Sequence, residues 1–161
     1  MNEPDPTPTP ASPDAIRLDE YWPYQVTVLA DLIARRTATI VKREAGLNLS
    51  QWRVLAAIAE RPGRTAADVV AMTPMDKGIV SRATKALLTG GFLVRRASQA
   101  DGRVSHLFLT GKGEALYRSL RGAVEAVPRS ANAILDPDQQ AEFCALVKRL
   151  ARAMPEGDRA D

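Results

Sequence analysis

MDKGIVSRATKALLTGGFLVRR, residues Met75 to Arg96, is the stretch on which the reading of this chain turns. At roughly 100° per residue, Lys77, Gly78, Ser81, Arg82 and Lys85 fall on one arc of about 140°, while Ile79, Val80, Ala83 and Leu87 fall opposite. Asp76 stands at the amino end, where a carboxylate complements the helix dipole. Gly90-Gly91 stops the helix, and FLVRRA continues as a strand. The segment is therefore a helix with one apolar and one basic face. A basic face by itself is ordinary solvated surface, so its neighbours decide its meaning.

Upstream, LSQWRVLAAIAERPG starts a helix with Ser50 as N-cap, presents Val54, Leu55 and Ile58 to a core, and stops at Pro62-Gly63. TAADVVAM, from Thr65, is a second, shorter helix. Downstream, VSHLFLT is a strand joined to the first by SQADGR, whose Asp-Gly is a turn signal. Arg95 and Arg96 are adjacent on a strand, so at most one of them shares a side with the basic arc. Two short helices with a tight turn, a basic outer face on the second and a hairpin after it make a winged helix-turn-helix. Lys and Arg in such a helix reach phosphates or guanine edges, Ser81 reaches either, and an Arg at a hairpin tip enters a narrow minor groove.

Outside this block the chain reads as helix. Trp22 to Glu44 carries Val26, Leu29, Ala30, Ile33, Ile40 and Val41 at helical spacing, with Pro23 in the first turn and Gly46 as the stop. From Thr110 a helix resumes and breaks near Pro128. A last helix, capped by Asp136 with Pro137 in its first turn, aligns Phe143, Leu146, Val147, Leu150 and Met154. The expected fold is mainly α with a small β-hairpin wing. Its divisions are a disordered Pro-rich tail (1–14), an N-terminal dimerisation helix (15–46), the winged helix-turn-helix domain (47–110), C-terminal dimerisation helices (111–156) and a flexible tail (157–161).

Charge is placed rather than spread. From Asp76 to Arg103 six cations face two carboxylates, a surplus of four in a chain whose total is +3, so the remainder carries −1. A single cysteine, Cys144, precludes an internal disulfide, and with His106 the lone histidine there is no ligand cluster for a soft metal. No glycine-rich phosphate loop and no nucleophile–base set is present, so no enzyme, cofactor or metal is expected. With no membrane-length apolar run and an acidic, Pro-rich start, the expectation is a cytoplasmic protein with no membrane partner.

Three segments, LNLSQWRVLAAIAERPGRTAADVV, MDKGIVSRATKALLTGGFLVRR and DGRVSHLFLTGKGEAL, resemble the MarR family of transcriptional regulators in order and spacing over about half the chain. The resemblance implies DNA contacts by Lys77, Gly78, Ser81, Arg82 and Lys85, and a wing in which Asp101 orients the hairpin and Arg103 enters the minor groove. Thr65, at the head of the preceding helix, joins this DNA-facing set. It further implies a homodimer paired through first and last helices, a palindromic double-stranded DNA operator, and repression relieved by a small aromatic effector. The wing SQADGR is lightly charged for the family, leaving Arg103 as its one cation. The first long helix lacks the cysteine used by the family's peroxide sensors, so a thiol signal is disfavoured and Cys144 reads as an inert thiol.

An effector cleft between dimerisation helices and winged domain would draw on Tyr21, Trp22, Tyr24 and Trp52 for stacking, with Arg17 or Arg53 for a carboxylate. Aromatic residues at helical spacing serve more often in a core or dimer interface. Two readings compete for the whole chain: a ligand-released DNA-binding repressor acting in aromatic-compound catabolism, and a winged-helix module that docks an acidic protein without sequence-specific DNA binding. Salt-sensitive, sequence-selective binding to duplex DNA separates them.

Overall fold

The computed structural model describes residues 12, 14–97, 104–129 and 133–154. Helix α1 spans Trp22–Ala45, with Pro23 in its first turn and Gly46 ending it in the left-handed region (φ 68°). There the Gly46 and Leu47 N–H groups return to Lys42 O and Val41 O. Helix α2, Leu49–Glu60, is capped by Asn48: its side chain accepts from Gln51 N while Gln51 Oε1 accepts from Asn48 N. Ser50, expected as the cap, lies inside the first turn, because Asn48 with Gln51 three residues on satisfies two orphan donors at once where Ser50 would satisfy one.

Helix α3, Ala66–Met72, carries the same reciprocal box between Thr65 and Asp68. Helix α4, Lys77–Thr89, begins at Asp76, whose Oδ1 accepts from Ile79 N at 2.6 Å. It ends through Gly91 (φ 70°), with Phe92 N–H donating to Leu87 O. Strands β1, Leu93–Ala97, and β2, Ser105–Leu109, pair antiparallel with Leu93 opposite Leu109, Arg95 opposite Leu107 and Arg96 opposite His106. Thr110 then caps α5, Gly111–Glu125, and Asp136 with Gln139 caps α6, Pro137–Ala153. The fold is mainly α with one two-stranded wing.

The core lies where α2, α4, the wing and the far end of α1 meet. Val41, Val54, Leu55, Ile58, Val80, Leu87, Leu107 and Leu120 are at most 1% exposed. The α2–α3 turn closes on the free edge of β2: Gly63 N–H donates to Leu107 O, Leu107 N–H to Arg64 O, and the His106 ring donates from Nδ1 to Gly63 O at 2.8 Å. At the base of the hairpin Thr110 Oγ1 donates to Gly91 O and Lys112 Nζ to Gly90 O. The wing root is thus tied to the α2–α3 turn by backbone bonds and to the turn between α4 and β1 by side-chain bonds from Thr110 and Lys112, which sets β1 beside α4.

Two faces stay uncovered. Trp22, Val26, Leu29 and Ile33 repeat at four, three and four residues along α1 and are exposed, although the same helix buries Thr37 and Val41 further on. Along α6 and into its C-cap, Phe143, Val147, Leu150 and Met154 repeat at the same spacing, and none of the helix's residues is buried. No helix among the described residues is long and apolar enough to cross a membrane.

Candidate nucleic-acid interface

The buried side of α4 is set by Val80, Ala83, Thr84 and Leu87, which pack into the core. That choice turns Lys77, Gly78, Ser81, Arg82 and Lys85 outward, and all five are exposed. Among the described residues none of Lys77, Arg82 and Lys85 forms an ion pair, whereas Arg35, Arg43, Arg64, Arg118 and Arg121 all do. Cations without ion pairs aligned on one helix face concentrate positive potential there, which suits a polyanion.

Gly78 has a specific place on this face. A Cβ added there would stand 3.3 Å from both Arg82 Nη1 and Asp76 Oδ1. The glycine therefore leaves room for the Arg82 guanidinium to lie back across the first turn of α4, beside the capping carboxylate.

Thr65 is committed differently. Its hydroxyl accepts from Asp68 N and donates to Asp68 Oδ2, so it is occupied in capping α3. Those bonds from the Thr65 backbone and side chain, and then the charges of Arg61 and Arg64, hold the Asp68 carboxyl below the ordinary carboxylate range. Asp101 and Arg103 lie outside the described residues.

The wing resolves which of its two adjacent arginines adjoins α4. Arg95 sits opposite Leu107, and with it on the strand face that buries Leu93 and Leu107. Arg96 points the other way, its guanidinium 5.1 Å from the centre of the Phe108 ring. Arg95 lines an open cavity of about 610 Å³ with Ala66, Val70, Lys77, Val80, Ser81 and Thr84. The Thr84 hydroxyl is buried without a hydrogen-bond partner among the described residues. The strand alternation alone held the signal for Arg95, since Leu93 two residues earlier is the buried position.

The aromatic candidates do not converge within one chain. Trp52 is 8% exposed and stacks on Tyr117 of α5, ring centres 5.6 Å apart and planes 11° apart. Tyr21, Trp22 and Tyr24 are exposed at the opposite end of α1, with Trp22 roughly 28 Å along the helix axis from Val41, which shares the core with Trp52. Arg17 pairs with Asp19 and Glu20 on the surface, and Arg53 is half-buried on α2.

A family model described as MarR family matches residues 45–104, from the end of α1 to the second strand. HTH-type transcriptional regulator BilQ of Clostridium symbiosum is 22% identical over 135 residues, covering 84% of this chain and 93% of its own. Among solved structures, the PcaV transcriptional regulator of Streptomyces coelicolor, in complex with its natural ligand, is 26% identical with a TM-score of 0.73, covering 86% of this chain and 97% of PcaV. CouR of Rhodococcus jostii, bound to p-coumaroyl-CoA, has a TM-score of 0.77 at 16% identity over 87% of this chain and 98% of its own.

Proposed function

Since the chain belongs, through residues 45–104, to the MarR family and is a transcriptional regulator, we propose that it acts as a homodimeric repressor of a palindromic operator, released by a small aromatic acid or its coenzyme A thioester. The observation that carries the DNA reading is the α4 face: Lys77, Ser81, Arg82 and Lys85 outward and unpaired among the described residues, with the opposite face locked in the core. An α-helix fits the major groove, where Arg reads guanine edges and Ser reads either donors or acceptors. Gly78 admits the close approach, Asp101 and Arg103 serve the wing, and Thr65, which caps α3, contacts the DNA from the head of that helix.

The homodimer rests on the two uncovered stripes. Trp22, Val26, Leu29 and Ile33 on α1 and Phe143, Val147, Leu150 and Met154 on α6 share one heptad-like spacing, and a second copy buries both. Two-fold pairing would set the recognition helices one DNA turn apart, about 34–36 Å, which is why the operator is taken to be palindromic.

The effector reading draws on Tyr21, Trp22 and Tyr24 with Arg17, which face solvent at the free end of α1 and meet Arg53 and the Trp52 region only across a dimer. The p-coumaroyl-CoA bound by CouR makes an aromatic acid or its thioester the class to try first. Release requires that the ligand prefer a dimer whose recognition helices miss the two half-sites.

The test is a gel shift against a duplex selected by the protein from a randomised pool, titrated with salt and then with hydroxycinnamates, benzoates, their coenzyme A thioesters and hydrogen peroxide. Salt-sensitive binding to the selected duplex, at least a thousandfold tighter than to random duplex and relieved by an aromatic compound, is expected. Weak binding without sequence preference would favour the protein-docking reading. Release by peroxide alone would remove the aromatic effector and bring Cys144 back into consideration.

A further inference from the structure

We infer that Arg95 is a DNA-backbone ligand, reaching from the root of the wing through the cleft between α3 and α4 to a phosphate at the edge of the groove that α4 enters. The inference rests on the DNA reading of α4 above and adds a residue that the recognition helix and the wing tip do not supply.

Three observations converge on Arg95. Its register opposite Leu107 directs it to the α3–α4 side of the wing, and Arg96 is turned away over Phe108. The cavity it lines has Lys77 and Ser81 of the outward α4 face at one wall and Ala66 and Val70 of α3 at the other, so its cation stands beside the groove-facing residues. Arg95 also forms no ion pair among the described residues, although it remains exposed.

Docking geometry makes this cleft a backbone site. When the second helix of a helix-turn-helix lies in the major groove, the first crosses the sugar–phosphate backbone, so the space between the two straddles the strand that borders the groove. The apolar walls accommodate the Arg95 stem while its head stays in water. A guanidinium presented there offers two parallel N–H donors to a phosphate, with the Lys77 ammonium on the other side as a point charge. Such a contact positions the protein and carries no sequence information.

The experiment measures binding of the full chain to two labelled duplexes, one selected from a randomised pool by the wild-type protein and one of random sequence, from 50 to 300 mM salt. Arg95→Gln is expected to weaken both by the same factor, about tenfold at 0.1 M salt, and to reduce the slope of log affinity against log salt by about 0.9 per phosphate released. Arg95→Lys should keep the slope while losing part of the affinity. Thermal melting of each variant alongside wild type verifies folding, and the exposed position predicts no change. An unaltered slope in Arg95→Gln, a loss confined to the selected duplex, or an equal slope loss in Arg95→Lys would each overturn the inference while wild-type binding still supported the DNA reading. Failure of the wild-type protein to bind either duplex would remove that reading and this inference with it.

Discussion

Trp52 of α2 lies flat on Tyr117 of α5, ring centres 5.6 Å apart and 11° from parallel, and this stack joins the winged domain to the helix that leaves it. Trp52 is nearly buried, and Tyr117 packs against the core beside Leu116 and Val124. Trp52→Ala should lower the unfolding free energy by about 3–5 kcal/mol, since it removes a large buried ring and leaves Tyr117 without a face to cover. Urea denaturation followed by far-UV circular dichroism reads this. A loss below about 1 kcal/mol would mean that the ring is free to serve a ligand pocket instead.

Gly78→Ala separates stability from binding. Alanine in place of glycine near the start of α4 favours the helix by up to about 1 kcal/mol. The added Cβ also takes the space beside Arg82 Nη1 and Asp76 Oδ1. The expected variant melts no lower than wild type and binds the selected duplex more weakly. Full affinity would show that Arg82 does not use that resting place.

Arg82→Ala should weaken binding to the selected duplex by about 1–3 kcal/mol and relax preference at one position of each half-site, because a base-edge contact is lost rather than a general charge. Binding competition across a set of single-base variants of the duplex measures it. A uniform loss with no change in preference would move Arg82 to the phosphate-contacting group.

The cap of α3 predicts a pH dependence. Asp68 is held below the ordinary carboxylate value by bonds from Thr65 and then by Arg61 and Arg64. A folded-state value below the unfolded one stabilises the protein above the unfolded pKa, and that stabilisation is lost as pH falls through the folded pKa. Asp68→Asn should therefore be less stable than wild type at pH 7, and the gap should narrow on acidification below about pH 4. Paired denaturation curves between pH 3 and 7 check this; a constant gap would place the effect in packing.

Association is expected to depend on the two stripes. Leu29→Asp with Leu150→Asp, both at exposed apolar positions, should convert a wild-type dimer to monomer at micromolar concentration in sedimentation while leaving the helical signal of the winged domain. Duplex affinity should fall by much more than the loss of one contact, since both half-sites are then bound independently. A variant that remains dimeric would place the interface elsewhere.

Much of this molecule was readable from local chemistry. The apolar period of α4, the Asp76 and Thr110 caps, the Gly90-Gly91 stop and the two strands follow from interactions spanning a few residues, so their signals stand in the sequence itself. Even there the choice between Asn48 and Ser50 as the cap of α2 depended on a reciprocal bond with Gln51. What tertiary structure decided were relations between residues far apart in the chain. The register of β1 on β2 sent Arg95 toward α4 and Arg96 toward Phe108. Packing of α2 on α5 drew Trp52 into the core and away from Tyr21 and Trp22, which the cleft implied by the family resemblance had grouped. Helical and strand periods specify which face of an element is apolar, because side-chain direction repeats locally. They do not specify which other element that face meets, because burial rewards any apolar contact and only the shape of the assembled core selects one.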